Sequence, residues 1–310
     1  MRNLKYIFVV LLGGTMYGTM SSFVKLAYTH GFNAAELSFW QAFLAALLLG
    51  LCTFFSRKNA NGGLTHKNIF PLLLTGCAIG LTNFLYYESV QYIPASLAIV
   101  ILMQFTWLSM FLEWIVFARE SSRIELLTVL FILIGTVMAG GMLETEEWTF
   151  SFHGAVLALC SSMTYAIYIV ANGRIEEKVR WQSKSMAIMV GSSSCIFAIN
   201  SGVILNSGYL CGEFMLWTVL LAVVGTTIPT ALFAAGISKI GAGISFILMT
   251  VELPVAILCV RIVLKEYISL LQATGILVML ASIAAMNYYK VSDCSCTICS
   301  RRFFIFHPLW

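Results

Sequence analysis

A chain of 310 residues that is 60% hydrophobic and only 10% charged lies far outside the range of soluble globular domains, where charged residues make up roughly a quarter. Its net charge of +4 asks for no nucleic-acid partner; basic loops facing an anionic lipid leaflet account for it. Lipid is the solvent this composition demands.

A membrane-crossing helix needs about 20 apolar residues. Ten such stretches follow one another, at 6–28, 34–55, 69–92, 95–117, 124–142, 152–171, 185–205, 215–237, 242–264 and 270–289. They are continuously apolar and about twice as long as barrel strands, and a helix satisfies its own backbone where no water can. The predicted fold class is therefore all-α and integral to the membrane, with ten transmembrane helices. The first stretch follows Arg2 and Lys5 as a signal peptide would. It runs on past Gly13 and Gly14 with no A-x-A site, so it reads as a span rather than a leader. The longest leftovers are a 56–68 loop, a 173–184 loop and the tail from Lys290.

With the N-terminus inside, all but Lys25, Arg261 and Lys265 of the 18 basic residues fall on the cytoplasmic side, Lys184 among them as a loop residue. The acidic connection of Glu144, Glu146 and Glu147 falls outside.

The second half of the chain repeats the first. Tyr92, Ile93, Pro94 and Ala95 open an apolar run to Met103, as Lys239, Ile240, Gly241 and Ala242 open one to Met249. Downstream, Arg119 and Glu120 answer Lys265 and Glu266, and Leu126 and Leu127 answer Leu270 and Leu271. Five crossings per half force the second half to enter from the opposite face. The predicted organisation is two inverted five-helix repeats, 1–143 and 144–290, with a cytoplasmic cysteine-containing tail at 291–310.

These residues resemble the drug/metabolite transporter superfamily, in particular two tandem EamA-type domains. The matching features are the starts of the fourth and ninth spans, Glu252-Leu253-Pro254 followed by an apolar run to Lys265 and Glu266, Gly275 in the tenth span, and Lys25 late in the first. The resemblance implies a ten-helix inverted-repeat transporter that moves amino acids, other metabolites or drugs, with both termini cytoplasmic. It departs from the family pattern at Gln41, where many relatives carry Arg, and in lacking a first-half counterpart of Pro254, Trp107 standing there instead. The missing charged anchor argues against a strongly anionic substrate.

Charges in hydrocarbon are rare and expensive, which makes each a functional candidate. Glu252 lies nine residues after Gly243, roughly 14 Å along a helix and near the bilayer midplane. Two residues on, Pro254 has no N–H for the carbonyl of Thr250, so a kink with a free carbonyl is expected there. A carboxyl in that place either binds a cationic group, carries a proton, or is a protonated packing residue. Asn83 and Tyr87 share a helical face near Glu88, with Tyr86, Ser89 and Tyr17 as possible neighbours in a polar lining; an interfacial aromatic belt is the alternative. Gln41, Gln104, Trp40 and Trp107 are either pocket residues or glue between helices. Lys25 and Arg261 either reach interfacial water or pair with Glu36, Glu88 or Glu266, and Glu113 reads as snorkelling to the cytoplasmic interface.

Gly13, Gly14, Gly135, Gly140, Gly141 and Gly191 most simply let helices approach closely. The serines at 192–194 lack a base, and no metal-binding helix motif or phosphate loop occurs in the chain, so neither an enzyme nor a cofactor nor a bound metal is expected. Cys294, Cys296 and Cys299 with His307 match no standard zinc spacing, and a loose tail is the expectation. The function predicted is a secondary transporter of small organic solutes, an exporter working by alternating access, with a channel or passive pore as the alternative. The partners expected are a small-molecule substrate and the lipid bilayer, for a monomer or weak homodimer in the plasma (inner) membrane.

Overall fold

The computed structural model describes residues 2–55, 66–93, 95–118, 122–139, 151–174, 180–206, 212–263 and 269–303. The acidic stretch at 144–147, the basic positions Arg57, Lys58, Arg119 and Lys265, and Glu266 and His307 lie outside the described residues.

The described chain is helical and holds no strand. Its elements are α1 (Arg2–Thr29), α2 (Ala34–Phe55), α3 (His66–Tyr92), α4 (Ala95–Leu102), α5 (Phe105–Phe117), α6 (Arg123–Ala139), α7 (Phe152–Arg174), α8 (Trp181–Asn206), α9 (Glu213–Leu220), a π-helical segment (Leu221–Thr227), α10 (Ile228–Ile240), α11 (Ala242–Met249), α12 (Glu252–Val263) and α13 (Leu270–Phe303). Among the described residues, seven stretches are long and apolar enough to cross a bilayer: Leu4–Tyr28, Ala34–Phe55, Ile69–Tyr92, Leu97–Phe117, Phe152–Arg174, Trp181–Asn206 and Glu213–Ile240. The remaining predicted spans fall on the 17-residue α6, on the α11–α12 pair, and on the shorter apolar stretch Leu270–Met286. The tail expected to be loose continues α13 as helix to Phe303.

The outer surface is apolar. Phe8, Phe54, Phe70, Trp114, Leu216 and Leu277 are all more than half exposed, a surface that only lipid chains can cover. Inside, α3 packs between α7 and α8, α2 lies on α8, α6 pairs with α13, and α1 packs on α10, α11 and α12. Glycine sets how closely several of these helices meet. A Cβ on Gly191 of α8 would run into the backbone carbonyl of Leu73 on α3, and one on Gly76 of α3 would meet the carbonyl of Ile188 on α8. Gly135 of α6 faces the carbonyl of Gly275 on α13 in the same way. This is the close approach that small residues allow where lipid provides no hydrophobic drive.

The fourth and ninth predicted spans are both broken, at corresponding places. The N–H of Gln104 bonds the carbonyl of Ile101 and that of Thr106 bonds Met103; in the second half Val251 bonds Leu248 and Leu253 bonds Thr250. Each break is thus a tightened turn of i→i−3 bonds. This corrects the proline-based expectation twice. The Thr250 carbonyl is not free, because the Leu253 N–H takes it at 3.2 Å. Pro254 sits in the first turn of α12, where a missing N–H leaves no helical bond unmade. The first half breaks with no proline, the Thr106 hydroxyl adding a bond to the Met103 carbonyl at 2.9 Å.

Because Gly191 meets α3 backbone and not a flexible side chain, Gly191→Ala is expected to destabilise the protein by about 1–3 kcal/mol. Gly202 lies on the same helix with nothing near its Cβ position, so Gly202→Ala should stay within about 0.5 kcal/mol of wild type. Thermal unfolding of the purified protein in detergent checks both.

Candidate functional site

The break before α12 makes Glu252 the first residue of that helix, where the unpaired N–H groups and the helix dipole favour an acidic group. The side chain is 4% exposed. Tyr165, on α7, donates its hydroxyl to Glu252 Oε2 at 3.2 Å. Glycine explains how α12 comes so near: a Cβ on Gly18 of α1 would collide with the backbone of Glu252.

Beside the carboxyl lies a cavity. Tyr17, Gly18 and Met20 of α1, Thr82, Asn83, Tyr86 and Tyr87 of α3, Ile99 and Leu102 of α4, and Glu252 of α12 line it. About 20 Å³ of it can hold the centre of a water molecule, room for about one or two waters. Among the described residues Glu252 is the one acidic or basic side chain in the lining.

Hydrogen bonds fix the walls. The Tyr17 hydroxyl donates to Asn83 Oδ1, and the Tyr87 hydroxyl donates to Gln41 Oε1 at 3.2 Å. Tyr28 donates to the Tyr87 carbonyl at 2.9 Å. The rings of Tyr17 and Tyr165 stack with centroids 6.0 Å apart, and Phe105 of α5 packs on Tyr165 at 4.7 Å. The hydroxyl of Tyr86 is buried and has no hydrogen-bond partner among the described residues.

The structure thus gathers Glu252, Asn83 and Tyr87 around one space and adds Tyr17 and Tyr86, which the sequence offered as their neighbours. Gln41 stands one layer back, holding Tyr87. Thr250 and Pro254 are buried beside the site without lining it, and the Thr250 hydroxyl returns to its own helix at Ile247. Gln104 and Trp107 belong elsewhere: the Trp107 indole, 37% exposed, donates to Gln104 Oε1 at 2.7 Å at the edge of the first-half break. Trp40 packs edge-on against Phe39 and Phe43. Glu88 is half-buried and accepts from Tyr92 at 3.5 Å, outside the lining; Lys25 is half-buried and Arg261 exposed, also outside it. Glu113 does not snorkel. It is buried and paired with Arg174 of α7 at 3.5 Å, and Arg174 lies over the ring of Phe117.

Sequence reasoning missed the α7 stripe. Ser161, Tyr165, Tyr168 and Asn172 recur at helical spacing on one face, all fully buried. Ser161 donates to the Thr82 carbonyl, Tyr165 to Glu252, and Asn172 Nδ2 to the Tyr168 hydroxyl. It also misplaced Lys184. α8 starts a turn earlier than expected, so Lys184 is 1% exposed within it and not in a loop. Its ammonium donates to the Asn172 carbonyl at 2.8 Å and to Ser238 Oγ at 3.1 Å, tying the last turns of α7 and α10 together.

Comparison with known proteins fits this architecture. The EamA-like transporter family matches twice in tandem, over residues 4–141 and 152–288. The chain belongs to that family. It is a membrane transporter by family, built of apolar helices. A similar protein is "Uncharacterized transporter YcbK" of Bacillus subtilis (strain 168), 24% identical over 292 residues that cover 91% of this chain and 92% of the relative. A solved crystal structure shares the fold with a TM-score of 0.75 over 92% of this chain and 96% of the other, at 13% identity.

The Tyr165 hydroxyl orients Glu252, so Tyr165→Phe is expected to lower transport by a few-fold with the fold intact. In a Glu252→Gln background the same change should have little further effect, because the two groups act as one unit. A double-mutant cycle on transport in proteoliposomes tests this.

Proposed function

We propose that this protein is a secondary carrier of small organic solutes (amino acids, related metabolites or drugs), exporting them from a central site built around Glu252. The ten predicted crossings form two inverted five-helix units, 1–143 and 144–290, in the plasma (inner) membrane, with both chain ends and the 291–310 tail cytoplasmic. One half rocks against the other, so the site faces each side in turn. The solute and the surrounding bilayer are its partners, and a monomer or weak homodimer is enough to do this.

The observation that carries the reading is the position of Glu252: a buried carboxyl at a helix break, lining a small cavity to which helices of both sequence halves contribute. The packing pattern supports the inverted arrangement. α1 packs on α10, α11 and α12 as α7 packs on α3, α4 and α5, while α2–α8 and α6–α13 pair elements at equivalent places in the two halves. A cavity with room for about one or two waters favours a carrier over a standing pore, since a solute must part the helices to enter.

Glu252→Gln is expected to cut saturable counterflow of a transported solute in proteoliposomes by about tenfold or more while helicity and elution profile stay unchanged. Transport at the wild-type rate would overturn the assignment. Topology is checked separately with single cysteines placed at Glu144 and Lys178: the first should label from outside and the second only from the cytoplasmic side. Labelling of both from one face would exclude the inverted repeat.

A further inference from the structure

We infer that the cavity selects small organic amines and discriminates against the same molecules when they carry a free carboxylate. This rests on the reading of the cavity as the solute site and narrows its substrate class. Three observations converge on it. First, among the described residues the lining holds one carboxyl and no Lys, Arg or His. Lys184, the buried cation of the α7–α8 region, is committed to Asn172 and Ser238 and does not face the space. Second, Tyr165 occupies Oε2 of Glu252, and no donor to Oε1 is seen among the described residues. An ammonium group supplies a further donor and the opposite charge that a buried carboxylate requires. Third, tyrosine is the recurrent lining residue, at Tyr17, Tyr86 and Tyr87, and aromatic rings attract ammonium groups. Tyr86 carries a buried hydroxyl without a partner among the described residues, able to hydrogen-bond a polar substituent of the solute.

The same inventory disfavours a free amino acid. Its carboxylate would lie in the same small space as Glu252, with only the Asn83 amide and tyrosine hydroxyls to receive it. Two like charges at short range in a poorly screened site repel strongly, and no cation of the lining offsets the second. An uncharged solute forgoes the ion pair altogether.

Four compounds on one skeleton separate these cases: 2-phenylethylamine, its neutral analogue 2-phenylethanol, the α-carboxylated phenylalanine, and phenylalaninamide, whose carboxyl is masked. Equilibrium binding to the purified full-length protein is expected to be similar for the amine and the amide. It should be about tenfold or more weaker for the alcohol and the free amino acid. Glu252→Gln should erase that preference, Glu252→Asp should keep it, and Tyr86→Phe should weaken the amine by a few-fold. Phenylalanine binding as tightly as phenylethylamine, no binding of the amine, or a preference that survives in the Gln variant would each overturn the proposal. The transport reading fails differently: amine-selective binding without any counterflow would remove the carrier and leave the selectivity. Counterflow that favours phenylalanine would do the reverse.

Discussion

Hydrocarbon offers no hydrogen bonds, so a polar group inside this helical bundle must find its partner in the protein or remain expensive. That constraint explains why the two helix breaks look alike. Interrupting a helix in lipid frees N–H and carbonyl groups, and here each interruption is limited to one tightened turn whose carbonyls are taken three residues on. It also explains why the second break lies against α1 and the first against α7: non-helical backbone at membrane depth is tolerated where it is covered by protein. Once the break is fixed, Glu252 becomes the first residue of a helix, and its carboxyl is held by Tyr165 and by the local field of the helix end.

Close approach is the second requirement, and glycine meets it at three of the interfaces. Gly76 and Gly191 bring α3 and α8 to backbone contact, Gly135 does so for α6 on α13, and Gly18 for α1 on α12. Of these, Gly18 bears directly on the site. A side chain there would push α12 away and draw Glu252 out of the cavity. The contacts across α6 and α13 lie outside the site.

Much of this was legible in the residues. Apolar run length located the seven stretches that are long enough to cross a bilayer among the described residues, and the duplication of Ile93 and Ile240 with the runs that follow anticipated a related pair of helices, both of which proved to be broken. Glu252, Asn83 and Tyr87 could be singled out because charge and amide groups are conspicuous in an apolar run. Side-chain direction was not legible. Trp107 and Gln104 are as polar as Gln41, yet they bond each other at the bundle edge, while Gln41 reaches Tyr87 inside. Lys184 was misassigned because positive charge normally marks a loop, and one helical turn more or less decides whether its ammonium meets water or the Asn172 carbonyl. The stripe of Ser161, Tyr165, Tyr168 and Asn172 did carry a readable signal, a polar face at helical spacing within an apolar segment.

The duplication explains more where it fails than where it holds. Matching the two breaks by their hydrogen bonds places Phe105 opposite Glu252, since Thr106 and Leu253 make the equivalent bonds. Phe105 packs on Tyr165, and Glu252 accepts the hydroxyl of the same residue. One tyrosine of α7 therefore touches the matching position of both halves, by its ring on one side and its hydroxyl on the other. A second carboxyl in place of Phe105 would confront Glu252 across Tyr165 with no cation of the lining between them, and like charges in low dielectric would hold the halves apart. An aromatic ring there supplies apolar contact and leaves a single charge to organise the cavity. The scaffold is repeated, as the two tandem family matches over 4–141 and 152–288 show. The chemistry is not repeated: among the described residues the cavity lining holds one carboxyl and no basic side chain, so a second carboxylate there would go without a counter-charge.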